Sequence, residues 1–211
     1  MSHRYINTLL AAILIVVGGC ASAPQERVKT LYPEATTAKT TTTEVITDVD
    51  GEFQAALQMM KAGNWHGAAD KLAAITTSEP GLSGAWTNLG IARNKIGDTA
   101  GAEDALNKAI AANASQVVAY NQLGIIYRRS GRLEEAAASY NAGLNINPND
   151  EDIHWNLAIL YDLYLPNPVQ ALSHYERYQQ LTQSEDKQLL AWISELREQT
   201  SQVNVATGAK R

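Results

Sequence analysis

Histidine and cysteine, the side chains that most often perform catalysis or bind metals, are few in this chain: His3, His66, His154, His174 and Cys20. A metal site needs several such groups at ligand spacing on one helix face, and an acyl-transfer site needs a motif such as Gly-x-Ser-x-Gly. Neither pattern occurs. No strand is predicted that a phosphate-binding glycine loop could follow. We therefore expect no metal, no cofactor, no small-molecule substrate and no enzymatic activity.

Cys20 stands where a different chemistry is expected. An apolar run, Leu9 to Val17, follows Arg4 and is too short to span a bilayer; it leads into Gly18-Gly19-Cys20. This resembles a bacterial lipobox, in which the cysteine is acylated and becomes the mature N-terminus. Residues 1–19 are thus predicted to be a lipoprotein signal peptide. A cleaved signal with a chance cysteine and an uncleaved anchor are the alternatives.

The residue after the cysteine predicts a location. In enterobacterial lipoproteins an Asp there favours retention in the inner membrane, and this chain has Ala21. The resemblance implies a protein of the bacterial cell envelope, anchored by lipid in the outer membrane and facing the periplasm.

Residues 20–48 are predicted to be a flexible linker. The segment contains Thr40 to Thr43, with Pro24 and Pro33 nearby, and too few apolar residues to form a core. It would reach at most ~100 Å when extended and would average roughly 30 Å as a coil. The threonine run could instead form a short strand that pairs with a partner.

The charge of the chain argues against nucleic acid as a partner. The formal net charge is −5, and loss of Arg4 with the signal leaves 16 basic residues against 22 acidic ones. No basic face is available to neutralise phosphates. Arg128 and Arg129 form the densest basic spot. They are interpreted as a solvated helix end, where cations suit the helix dipole, or as a site for a partner carboxylate.

A lattice with a 34-residue step dominates the rest of the chain. Its columns are Trp86, Tyr120 and His154; Leu89, Leu123 and Leu157; Gly90, Gly124 and Ala158; Gly63, Gly97 and Gly131; Ala68, Ala102 and Ala136; Leu72, Leu106 and Tyr140; and, two steps apart, Pro80 and Pro148. In period, residue types and order the lattice resembles the tetratricopeptide repeat. The resemblance implies an all-α solenoid of helical hairpins over residues 49–183, with about four repeats.

Individual columns predict how each hairpin is built. Gly63, Gly97 and Gly131 are expected to end the first helix in a left-handed conformation. Small residues such as Gly90 and Gly124 are expected where paired helices approach closely. The prolines should stop the second helix. In the second unit, where Ala114 replaces the proline, Asn113 and Ser115 are expected to provide the turn.

The fourth unit departs from the pattern. Its turn reads Leu165-Pro166-Asn167-Pro168, and the alanine of the column comes one residue late, at Ala171. We interpret this as a one-residue insertion in the turn, with Asn167 capping the next helix. A capping box, Thr182-x-x-Glu185, is predicted to open a capping helix over residues 184–200. Residues 201–211 are predicted to be a mobile tail.

The resemblance implies that first helices line a binding groove. One column there carries a side-chain amide in every unit, which could pair with the backbone of an extended peptide; the alternative is a repeat consensus without a ligand. A neighbouring column is apolar in every unit and could hold an apolar anchor, or it could be buried between stacked helices. The predicted groove residues are Phe53, Gln54, Leu57, Asn88, Ile91, Gln122, Ile125, Arg128, Trp155, Asn156 and Ile159.

One known activity of the family is not implied. Its clamp for a chaperone tail uses Lys, Asn and Arg to hold a terminal carboxylate. Only Asn88 matches that set, since Phe53, Leu57, Val118 and Gln122 occupy the other positions.

Two uses remain, with an enzyme assembled from distant residues as a third class. The first is a scaffold or adaptor that binds segments of envelope proteins, such as peptidoglycan hydrolases, outer-membrane assembly factors or TonB–ExbBD-type motors. The second is a pilotin-like role in assembling a type IV pilus secretin. Pilotins usually carry more repeats than the four identified here.

Overall fold

A computed structural model of the protein describes residues 48–206, and the side chains of residues 48–202. The predicted signal peptide, Cys20, most of the predicted linker and residues 207–211 lie outside the described residues. Within them the helices are α1 (Val49–Lys61), α2 (Trp65–Ser78), α3 (Ser83–Lys95), α4 (Thr99–Ala112), α5 (Val117–Arg129), α6 (Leu133–Ile146), α7 (Glu151–Ile159), a π-helical segment (Leu160–Tyr164), α8 (Pro168–Thr182) and α9 (Lys187–Ala206).

The helices pair as four hairpins, and the predicted all-α solenoid is confirmed. Each odd-numbered helix from α1 to α7 packs against the helix that follows it, and α9 packs against α8. Contacts also run between successive first helices, α1 to α3, α3 to α5 and α5 to α7. The first helices therefore form one continuous side of the array, which we call the inner face.

Glycine ends the first helix in three of the four hairpins. Gly63, Gly97 and Gly131 have φ values of 77°, 86° and 75°, a left-handed conformation that is costly for other residues. The predicted turns are confirmed. They place the C-terminal ends of α1, α3 and α5 along one long edge of the solenoid.

Two further glycines allow helices to touch. A Cβ atom at Gly90 would lie 2.6 Å from Leu106 Cγ, and one at Gly124 would lie 2.3 Å from Tyr140 Cε1. Both contacts are far closer than carbon atoms tolerate. The close approach predicted for this column is confirmed in the second and third units.

The second helices end as the sequence predicts. α2 and α6 stop two residues before Pro80 and Pro148. In the second unit, which has Ala114 at this position, Asn113 Oδ1 accepts a hydrogen bond from the Ser115 amide at 2.9 Å. This side-chain turn replaces the proline.

The extra residue of the fourth unit lies inside a helix, and the prediction that it lies in the turn is wrong. At the end of α7 the backbone widens into the π-helical segment, and the Leu165 amide donates to the Leu160 carbonyl, five residues back, at 2.8 Å. A π-turn holds one residue more than an α-turn, so it absorbs the insertion without breaking the helix. The predicted cap is present: Asn167 Oδ1 accepts from the Gln170 amide at 3.1 Å.

The last helix begins and ends later than predicted. The Thr182 hydroxyl donates to the Tyr178 carbonyl, so Thr182 closes α8 and does not open a capping box. Asp186 caps α9 instead, because its Oδ1 accepts from the Leu189 amide at 3.1 Å. The helix continues to Ala206, through part of the predicted tail, since no Gly or Pro interrupts it before Gly208.

The capping helix closes the apolar end of the array. Leu189, Ile193 and Leu196 are buried against Tyr175 and Tyr178 of α8. The helix therefore covers the apolar side that the fourth repeat would otherwise expose.

Candidate binding surface on the inner face

The structure buries most of the predicted groove residues. Those buried are Phe53, Leu57, Asn88, Ile91, Arg128, Asn156 and Ile159; Gln122, Ile125 and Trp155 are half-buried, and Gln54 is exposed. The accessible members, apart from Gln54, belong to the third and fourth units. The inner face that a partner could touch is therefore smaller than the sequence predicts.

The apolar column mainly packs the fold. Leu57 and Ile91 belong to the core of the first two units, and Ile159 is only 3% exposed. These three residues are therefore buried between stacked helices, which was the alternative interpretation of this column. Ile125 is the member of the column that keeps accessible surface.

The amide column divides into two kinds of residue. Asn88 is fully buried, and its Nδ2 donates to the Gly84 carbonyl at 2.8 Å. Asn156 Nδ2 donates to Asn121 Oδ1 at 2.9 Å, which joins α7 to α5. The two longer amides, Gln54 and Gln122, keep accessible surface. The asparagines thus stabilise the array, and only the glutamines are presented to solvent.

Arg128 is not at a solvated helix end, and that interpretation is wrong for this residue. It is 6% exposed, its Nη1 donates to the Tyr164 hydroxyl at 3.4 Å, and its guanidinium carbon lies 5.4 Å from the Tyr164 ring centre. The π-helical segment carries Tyr164 to this position. The contact links the third unit to the fourth through a cation–π interaction. Arg129, the next residue, is exposed.

Trp155 marks the end of the inner face next to the cap. Its ring centre lies 4.8 Å from that of Tyr178, 5.6 Å from that of Tyr175 and 6.4 Å from that of Trp192. Its indole nitrogen is buried and has no hydrogen-bond acceptor among the described residues. Part of the ring remains accessible, so Trp155 offers an aromatic surface held in place by α8 and α9.

A pair of histidines near this end was not predicted from the sequence. His154 Nδ1 and His174 Nδ1 lie 2.9 Å apart, and His154 Nε2 lies 3.1 Å from the Pro148 carbonyl oxygen. A carbonyl only accepts, so His154 carries its proton on Nε2, and His174 must donate from Nδ1. The two residues are 20 apart on different helices, and no sequence signal joins them.

Burial shifts both histidines towards the neutral form. It lowers the pKa of His154, and it lowers the pKa of His174 to about 4, with a smaller contribution from His154. The pair therefore resists protonation in the folded chain. Residues 48–202 contain no cluster of three or more His, Cys, Asp or Glu side chains that could hold a metal ion.

No helix of residues 48–206 is long and apolar enough to cross a membrane.

Comparison with known families agrees with this geometry. A model described as "Tetratricopeptide repeat" matches residues 53–117, and one described as "TPR repeat" matches residues 124–162. The units are tetratricopeptide repeats. The two matches cover the first three hairpins and the start of the fourth.

Similar proteins share the fold. Human tetratricopeptide repeat protein 8 is 30% identical over 88 residues, which cover 42% of this chain and only 16% of that protein. The structure of Pseudomonas aeruginosa pilF has a TM-score of 0.64 at 19% identity and covers 73% of this chain and 69% of that one. The first TPR of Spaghetti (RPAP3), bound to the HSP90 peptide SRMEEVD, has a TM-score of 0.52 at 24% identity and covers 54% and 90%.

Proposed function

We propose that this protein is a lipid-anchored adaptor of the bacterial cell envelope. Acylated Cys20 would tether the solenoid to the outer membrane, and the linker would let it search the periplasm for segments of partner proteins. The apolar run before Cys20 supports the anchor. The proposal assigns the chain no catalytic step, cofactor, metal or nucleic acid.

One observation carries the binding part of the proposal. On the inner face of the third and fourth units, Gln122, Ile125 and Trp155 keep accessible surface, whereas the other predicted groove residues of these units are buried. A glutamine can pair with a peptide backbone, and the isoleucine and the accessible part of the tryptophan ring can pack against an apolar anchor. The Asn121–Asn156 hydrogen bond holds α5 and α7 in register beneath them. A preorganised surface of this kind loses little freedom when it binds.

The related structures support the kind of partner. The RPAP3 repeat is bound to a peptide in its structure, which makes a protein segment a reasonable ligand for the same fold. We propose a segment with a large apolar residue, because Ile125 and Trp155 provide the accessible apolar surface in this region.

Photo-crosslinking in cells tests the proposal directly. A photoreactive amino acid at Gln122 should form a discrete adduct with an envelope protein, which mass spectrometry can identify. Addition of Ile125→Glu should remove the adduct, since the charge would be desolvated in the complex. Ile146→Glu is the matched control, because Ile146 is 39% exposed at the end of α6.

The identity of the adduct decides between the two envelope roles. A hydrolase, an outer-membrane assembly factor or a motor subunit would support the adaptor. A secretin would replace it with the pilotin-like role. Absence of any adduct that Ile125→Glu removes, in a variant that stays folded, would overturn binding at the inner face.

A further inference from the structure

A second surface lies along the edge where the first helices end. The 34-residue step runs through Lys61, Lys95 and Arg129, and all three are exposed at the C-terminal ends of α1, α3 and α5. In the fourth unit, where one added residue interrupts the step, the corresponding helix end carries Leu163, which is 53% exposed. We call these four residues and Tyr164 the edge stripe.

The apolar end of the stripe adjoins its last cation. Tyr164 is 43% exposed and contacts Arg128, the residue before Arg129. Val169, 58% exposed, follows within a few residues, after a turn stiffened by Pro166 and Pro168. Three of the five large hydrophobic side chains that are exposed among the described residues thus lie between positions 163 and 169.

The charge at this edge is opposite to that of the whole chain. The chain carries −5, yet the stripe carries three cations. Three acidic side chains of α4, α6 and the turn before α4 pair with arginines outside the stripe: Asp98 with Arg93 at 3.7 Å, and Glu103 and Glu135 with Arg132. Lys61 and Lys95 make no ion pair within residues 48–202, although the Lys95 ammonium lies 5.8 Å from the Trp65 ring.

The helix dipole explains part of this arrangement. Cations are favoured in the last turn of a helix, which accounts for the sign of the charges. It does not account for the exposed leucine and tyrosine at the corresponding end of the fourth unit. Exposed apolar surface rimmed by polar groups is a common mark of an interaction site.

We propose that the edge stripe binds an acidic, extended protein segment that carries a large apolar residue. Adjacent packed helices lie about 8–10 Å apart, so neighbouring cations of the stripe are separated by roughly the same distance. An extended chain covers this distance in about three residues. The partner is therefore expected to place an Asp or Glu at about every third position and an apolar side chain one further step along. This surface is separate from the inner face and does not depend on the function proposed for it.

A designed peptide provides the probe. Fluorescein-labelled Glu-Ser-Ser-Glu-Ser-Ser-Glu-Ser-Ser-Leu and its reversed sequence would be titrated with the full-length protein, with fluorescence anisotropy as the readout. Binding of at least one of the two that weakens as salt is raised is the expected result, since exposed charges are screened. A peptide with Lys in place of Glu should not bind.

Charge reversal on the protein locates the site. Lys61→Glu with Lys95→Glu should weaken binding by about tenfold or more, because two exposed ion pairs are lost and two repulsive contacts replace them. Leu163→Ser should weaken it by about fivefold through lost apolar contact. Lys187→Glu on α9 is the matched control for each single reversal, Lys61→Glu or Lys95→Glu, and Leu190→Ser is the control for Leu163→Ser; both change the same exposed residue types away from the stripe. Circular dichroism would verify that every variant is folded.

Several outcomes would overturn the proposal. Equal losses in the stripe and control variants would show a non-specific charge effect. Failure of both peptides to bind, or equal binding of the lysine peptide, would remove the acidic segment as the ligand. Binding of phosphatidylglycerol vesicles through the stripe, without peptide binding, would assign the surface to a membrane. Ile125→Glu should leave peptide binding unchanged, which separates this surface from the inner face.

Discussion

Trp86 and His154 occupy the same position two repeats apart and make the same hydrogen bond. Trp86 Nε1 donates to the Pro80 carbonyl at 2.9 Å, and His154 Nε2 lies 3.1 Å from the Pro148 carbonyl oxygen. The histidine therefore replaces the indole as a donor, and its hydrogen bond holds the preceding loop against the helix. Its second ring nitrogen then faces His174, which creates a pair that the unit of Trp86 lacks.

This pair predicts a loss of stability in acid. The pKa of His174 is lowered to about 4 in the folded chain, chiefly by burial, whereas an unfolded histidine titrates near 6.5. The unfolded chain binds more protons between these values. Stability is therefore full above about pH 6.5 and falls as the pH is lowered towards 4. His174→Asn should make the melting temperature less sensitive to pH between 7.5 and 5.

The effect should be modest because His174 is partly accessible. After allowance for solvent screening, about 1–2 kcal/mol of unfolding free energy is expected to depend on it. His66→Asn, at an exposed site on α2, is the control and should follow the parent protein. Parallel pH profiles for the parent and His174→Asn would contradict the burial of a neutral pair.

The contact between Gly124 and Tyr140 predicts the cost of a single methyl group. Gly124→Ala would place Cβ 2.3 Å from a ring that is completely buried, so the ring or α6 must move. Overpacking of this kind costs about 1–3 kcal/mol. Urea unfolding followed by circular dichroism measures it. Gly81→Ala is the control, since nothing lies within 4 Å of its added carbon; equal midpoints for the two variants would refute the close approach.

The hydrogen bond between Asn121 and Asn156 predicts a measurable coupling. Each single change to alanine should destabilise the chain by about 1–3 kcal/mol, because the remaining amide is left buried without its partner. The double variant should lose less than the sum, with a coupling of about 1 kcal/mol in a double-mutant cycle. A cycle that pairs Asn121 with the exposed Asn113 should be additive. Additivity in both cycles would mean that the amide pair contributes nothing to stability.

The proposed anchor predicts how the protein fractionates. Cys20→Ser should either release the protein from membranes or leave it as an unprocessed precursor, because no thiol remains to acylate. Membrane fractionation reports the location of the variant, gel mobility its processing, and incorporation of labelled palmitate its acylation. A variant that fractionates and migrates like the parent would contradict the lipobox interpretation.

Sequence reasoning succeeded where each contact lies within one unit or between adjacent units at a fixed step. Gly97 ends its helix because the turn needs a left-handed residue, and Gly90 is small because Leu106 lies against it. Such requirements recur every 34 residues and are therefore visible in the sequence. The same regularity made the helices and their order predictable.

Sequence reasoning failed where contacts between separate helices decide which residue caps a helix or how deeply a side chain is buried. Thr182 and Glu185 match a capping box, yet Thr182 is already held by the preceding helix and Asp186 caps α9. The inner face looked accessible because repeat position alone does not tell how deeply Ile91 or Asn88 is buried. Arg128 looked solvated because Tyr164 reaches it only through an irregular segment.

The π-helical segment also changes the surface of the fourth unit alone. Its wider turn takes up the added residue, so the helix continues and remains packed against α6 and α8. In this chain the residues past the added position are Leu163 and Tyr164, both turned outward. A length change of a single residue, made inside a helix of a repeat protein, can therefore give one unit a new exterior without altering the buried lattice that its neighbours depend on.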